Sequence, residues 1–207
     1  MRVVLLAAAL MGLAQAPDGD SVLRGAGVEV PRRGGAEAAF DRWILPPQPV
    51  PPTAFAELLV GMGPVGSSSR IRCTYAFGVL AGRSGRHVPP GPMQGAGIAL
   101  IQMMNTDDNR IRVAAARVAG RVFAAPIDGG PAPARPAGLE AALMVLLNEP
   151  REDEQLAAIE ALGMLREIAA VPTLLERYQD GRARNREEMA VAALGLFYVR
   201  RRLSAQA

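Results

Sequence analysis

The sequence contains no lysine: its 23 basic residues are all arginine, set against 20 acidic residues for a net charge of +3 over 207 residues. Arginine suits bidentate contact with carboxylate or phosphate. Alanine, glycine and proline are abundant beside it, however, and that excess has no binding rationale, so a GC-rich coding bias is the favoured reading. Cysteine and histidine are almost absent. The single Cys73 cannot form an internal disulfide, and with His87 as the only histidine it cannot furnish a four-ligand zinc site. A Cys73–His87 nucleophilic pair would have to join a helix to a Gly/Pro-rich loop, with nothing to orient the base. Aromatic residues make up only 4% of the chain. Without aromatics interleaved among the arginines, nucleic acid is not expected as a partner. No P-loop, dinucleotide fingerprint or nucleophile elbow occurs, so no cofactor and no catalytic residue is expected. The paired acids of "REDEQ" and "NREEM" fall in turns or first helical turns, where they complement the helix dipole; Asn185 with Glu188 reads as a capping box.

What is present begins with "MRVVLLAAALMGLAQA", in which one arginine precedes an apolar run from Val3 to Ala14 and then Ala14-Gln15-Ala16. The run is short for a bilayer and suits a signal sequence, so residues 1–16 are read as an export signal and the protein as periplasmic or secreted. Residues 17–52 are rich in Gly, Pro and charge and contain "FDRWILPPQPVPP". They read as a linker, with Phe40, Trp43, Ile44 and Leu45 packing on the domain C-terminal to it. Two further stretches, "GRSGRHVPPGPMQG" at 82–95 and "AAPIDGGPAPARPAG" at 124–138, exclude helix and central strand.

Between these breaks helical segments recur. "IRVAAARVAG" from Ile111, "EQLAAIEALG" from Glu154 and "REEMAVAALG" from Arg186 share one pattern, and "IRCTYAFGVL" from Ile71 is a weaker copy, at steps of 40, 43 and 32 residues. Each is preceded by another apolar segment: "AFAELLVGM", "GIALIQMMN", "LEAALMVLLN" and "VPTLLERYQ". The unit is a helical hairpin. The pattern, strongest in "LLNEPREDEQLAAIEALGMLRE" and "NTDDNRIRVAAARVAG", resembles HEAT repeats, especially the short bacterial type first noticed in phycobilisome lyases. The resemblance covers residues 53–203 and implies an all-α superhelix, a HEAT/armadillo-like solenoid of about four hairpins. A repeat transmits no chemistry, so it implies no lyase activity.

The arginines of the Ile111 copy divide by face. Ile111, Ala115, Val118 and Val122 share the core face. Arg110, Arg117 and Arg121 form a stripe about 100° round the helix, a solvated flank and the candidate face for a protein partner. Arg112 stands where the resembled family has an arginine that pairs with an acid in the inter-helix turns. Its expected partners are Asp107, Asp108 or an acid of the next repeat, and Arg72 occupies the equivalent place one copy earlier.

Charge is uneven along the chain, with nine arginines against three acids from Gly63 to Arg135 and eleven acids against six arginines from Leu139 to Glu188. An acidic protein or a second copy is the natural counterpart. "MAVAALGLFYV" from Met189 to Val199 carries no charge, too short for a membrane span, so its apolar surface requires a cover. Leu196, Phe197 and Tyr198 are candidate interface anchors there. These observations point to an exported, non-catalytic scaffold for protein–protein interaction, the alternative being a purely structural module without a ligand groove.

Overall fold

The structure, a computed structural model, describes residues 17–46, 49–64, 66–82, 85, 88–124, 133–184, 192 and 194–196. Its ordered elements are helices: α1 (Gly19–Gly25), α2 (Gly35–Asp41), α3 (Pro52–Gly61), α4 (Ser67–Ala81), α5 (Pro90–Met104), α6 (Asn109–Val122), α7 (Leu139–Leu147), α8 (Glu152–Leu165) and α9 (Val171–Arg184). No strand occurs among the described residues, and the fold is all-α. The export signal at 1–16 lies outside them, as do His87, Phe197 and Tyr198.

Chemistry of the helix ends explains where these elements begin. The Asp108 side chain accepts from the backbone amides of Arg110 and Ile111, so α6 starts at Asn109. Glu152, Asp153 and Glu154 fill the first turn of α8, complementing its dipole. Residues 90–95 correct the sequence expectation: α5 starts at Pro90, inside the stretch read as excluding helix. Pro90 and Pro92 sit in the first turn, where the missing N–H groups have no intrahelical acceptor to lose.

The helices form two rows. In each hairpin the first helix packs on the second, as α3 on α4, α5 on α6 and α7 on α8; second helices stack in the order α4, α6, α8 and first helices in the order α3, α5, α7. One apolar cluster runs through the stack from Leu23 to Leu174 and Ala192. Closing the second row is a matter of glycine. A Cβ on Gly120 would lie 2.5 Å from the Cα of Ala161, and one on Gly163 would collide with the Cα of Gly195. These glycines end their copies of the repeat, so the recurrent small residue marks backbone-to-backbone approach of successive helices.

Residues 17–52 depart from the expected linker. Leu23, Ala36 and Ala39 are fully buried and Phe40 nearly so, because α1 and α2 pack on α4 as a shortened extra hairpin, with α1 also on α3. Helix α4 is thereby enclosed on several sides, and every residue from Cys73 to Gly82 is buried. This enclosure explains why the Ile71 copy is the weakest: Gly78 faces the Phe40 ring and Val118, and a Cβ there would lie 2.8 Å from the ring. Of the four apolar residues flanking Asp41 and Arg42, Phe40 and Ile44 pack into the core, whereas Trp43 is 44% and Leu45 65% exposed.

Candidate functional site

The arginine stripe of α6 is not a uniform solvated flank, because α2 lies over part of it. Arg121 is 1% exposed. Its guanidinium lies 4.4 Å from the Phe40 ring centroid and 4.0 Å from that of Trp43, and Nη1 donates to the Phe40 carbonyl at 2.7 Å. Neither solvation nor partner binding is open to this side chain. Trp43 reaches it by adopting a left-handed backbone, φ 55°, immediately after α2. Its amide bonds to Phe40 and the Ile44 amide to Ala39, closing the helix in a position that normally takes glycine. The αL penalty of about 1–2 kcal/mol is offset by the stacking on a desolvated guanidinium, worth about as much.

Arg117 ties three helices together. Its Nη2 is 2.8 Å from Asp41 Oδ1 on α2 and its Nε 3.5 Å from Glu160 Oε2 on α8, while the guanidinium lies 5.9 Å from the Tyr75 ring of α4. Burial by itself would lower its pKa, but Tyr75, Glu160 and Asp41 together raise it. Burial pushes the Tyr75 hydroxyl up to about 12, with Arg117 partly opposing.

Arg112 finds its acids in the next hairpin, not at Asp107 or Asp108. Nη2 lies 2.6 Å from Glu154 Oε1, Nε donates to the same oxygen at 3.0 Å, and Nη1 is 3.8 Å from Glu149. Glu154 is fully buried and Arg112 keeps only 17% side-chain exposure, so this pair joins α6 to α8 largely out of water. Asp108 is spent as the α6 cap; its carboxyl is held below the usual range by a hydrogen bond from Ser67 and by the Arg110 and Ile111 amides. Asp107 is exposed. Arg72 does not repeat the Arg112 contact, because the residue of α6 that aligns with Glu154 is the apolar Ile111. It turns instead toward Asp18, 3.7 Å away, with both side chains largely in solvent. Such a pair contributes little.

Arg110 and Arg72, 38 positions apart in the chain, come together. They line one surface groove of about 320 Å³ with Arg32 of the α1–α2 loop, Asp20, Glu37 and Tyr75. Gly34 and Gly35 form its wall in left-handed backbone, and a Cβ on Gly35 would collide with the Asp20 carboxylate. Asp20 Oδ1 accepts the Ala36 amide at 2.7 Å, holding the start of α2 against α1. Arg32, Glu37 and the Asp20 tether escape a sequence reading that takes 17–52 for a linker. The available signal was the spacing of Gly19, Val22 and Leu23 and of Ala36, Ala39 and Phe40, each i, i+3, i+4. A second hollow of about 350 Å³ between α1 and the start of α3 has Asp18 and Glu57 in its lining and no basic residue.

Leu196 is partly buried against the core and Ala192 fully buried, while Leu194 is 44% exposed; the other two proposed anchors, Phe197 and Tyr198, fall outside the described residues. No helix among the described residues is long and apolar enough to cross a membrane. Among the same residues no three His, Cys, Asp or Glu side chains gather as a metal site.

No family model matches this sequence, and no curated relative does. Among solved structures, the chain is similar to an engineered protein from the Northeast Structural Genomics Consortium, with a TM-score of 0.56 and 15% identity over 96% of this chain and 80% of that one. At that identity the likeness is one of fold alone.

Proposed function

We propose that the chain is an exported, non-catalytic scaffold of HEAT-type hairpins that binds another protein. One observation carries this reading: of the arginines on α6, Arg112, Arg117 and Arg121 are tied into packing between helices, whereas Arg110 is left at an open groove beside Arg32 and Arg72. A stack held together by its own ion pairs has no internal need of that groove. The tethering of the other three arginines favours the alternative, a purely structural module, for the remainder of the second row. Cross-linked affinity capture from the native envelope tests the reading. A protein captured in proportion to the bait, and absent from a tag-only control, is expected; no enrichment over that control would overturn it. Export is tested on the same material, where N-terminal sequencing should find a start between Gln15 and Asp18, and Met1 or Arg2 as the sole start would refute it.

A further inference from the structure

We infer that the groove walled by Arg32, Arg72 and Arg110 receives an acidic segment of the partner protein, an assignment that rests on the protein-binding reading above. The three arginines come from three separate elements, the α1–α2 loop, α4 and α6, and line one hollow of about 320 Å³. All three residues are exposed. Arg32 and Arg110 have no ion pair or side-chain hydrogen bond among the described residues, and Arg72 has only the loose 3.7 Å approach to Asp18. Each therefore keeps the planar set of donors that matches a carboxylate in two parallel hydrogen bonds.

The carboxylates in the wall offset this only in part. Asp20 accepts the Ala36 amide on Oδ1 but keeps its charge, so three cationic groups stand against two carboxylates in the lining. Glu37, in the exposed first turn of α2, has no ion pair or side-chain hydrogen bond among the described residues and adds one acceptor. Three cationic forks against two carboxylates leave the groove positive by one charge, which suits an extended peptide whose spaced acids meet the arginines while a backbone N–H meets Glu37. They suit a nucleic acid strand less well. Its uninterrupted phosphate charge would lie against Glu37 and Asp20, and Tyr75, the groove's only ring, is 2% exposed and offers no face for base stacking. The volume lies at the low end of ligand pockets, about 300–1,000 Å³, which fits a few residues of extended chain and excludes a folded domain.

The test is fluorescence anisotropy of the full chain with a labelled Glu-Ser-Glu-Ser-Glu peptide, beside the same peptide with Gln for Glu and a single-stranded oligonucleotide of equal charge. Binding of the acidic peptide is expected to fall about tenfold or more in Arg110→Glu and in Arg32→Glu. Arg110→Lys should fall by an intermediate amount, since it keeps the charge and loses the fork. The exposed Arg42→Glu, at the end of α2 opposite the groove, should change binding less than twofold, with the circular dichroism melt of every variant checked against the wild type. Equal binding by all variants, or equal binding of the Gln peptide, overturns the assignment. So does tighter binding of the oligonucleotide lost in the same variants, or a self-association that Arg110→Glu abolishes, which would give the groove to nucleic acid or to a second copy. In native capture, a partner lost by Arg110→Glu supports the groove. A partner retained by that variant overturns the groove and leaves the scaffold reading standing.

Discussion

Replacing Gly120 with alanine should destabilise the protein, although the same change in most helices stabilises it. Removing a glycine from a helix interior is worth about 0.5–1 kcal/mol. Here the new Cβ would lie 2.5 Å from the Cα of Ala161 and 2.9 Å from its Cβ, where carbon atoms normally rest about 3.5–4.0 Å apart. Neither obstacle can rotate away, since one is backbone and the other is fixed to it. α6 and α8 must separate by about 1 Å, enough to forfeit a quarter to a half of the dispersion energy along their contact. Overpacking costs about 1–3 kcal/mol, and the upper part of that range applies where backbone blocks the new atom, so the net loss is about 1–2 kcal/mol, a fall in Tm of about 2–8 °C for a chain of this size. Gly25 supplies the control. It closes α1 with no atom within 4 Å of its would-be Cβ, and Gly25→Ala should stabilise by about 0.4–1 kcal/mol. Thermal melts tracked by far-ultraviolet circular dichroism would measure both. A Gly120→Ala protein that melts at or above the wild-type temperature would refute backbone contact between the stacked helices.

Arg112→Ala should cost about 3 kcal/mol in urea unfolding, the low end for a broken buried pair because Arg112 keeps 17% exposure while Glu154 has none; Arg112→Met with Glu154→Leu should cost less than either single change, and additive losses would contradict the buried pairing. Cys73 donates its thiol to the Pro17 carbonyl, and burial pushes its pKa up to about 11. The thiolate is therefore scarce at pH 8, and iodoacetamide should modify the folded protein only as fast as it unfolds; labelling at the rate of a free thiol would show that the Pro17–α4 contact is open.

Much of the helical stack was legible because it is periodic. Ile111, Val118 and Val122 announce the core face of α6, and all three are buried. The repeat copies beginning at Ile71, Ile111 and Glu154 fall on α4, α6 and α8. The ends were less legible. Composition outvoted periodicity in residues 17–52, where glycine and proline bracket two seven-residue helices too short to carry a strong pattern of their own; they are stable because α4 supplies the surface they pack on. Missing α2 had a second effect. The side of α6 that carries Arg117 and Arg121 looks solvent-facing when nothing is known to cover it, and Phe40, Asp41 and Trp43 of the covering segment are what bury Arg121 and half-bury Arg117. The groove was illegible for the same reason, since one of its three arginines and its glycine wall come from the loop between the unseen helices.

The placement of α1 and α2 also gives the row an end unlike its other units. A row of stacked hairpins behaves like a one-dimensional polymer in which each unit exposes a face for the next. At one end that face is already occupied: a Cβ on Gly19 would lie 2.5 Å from the Arg72 carbonyl, Phe40 sits on Gly78, and Asp20 locks the two short helices to each other. A further hairpin cannot pack on α4 there while this pair is in place. The α4 end of the row therefore presents two short helices and a glycine-walled loop to its surroundings, where the other hairpins present a full-length pair.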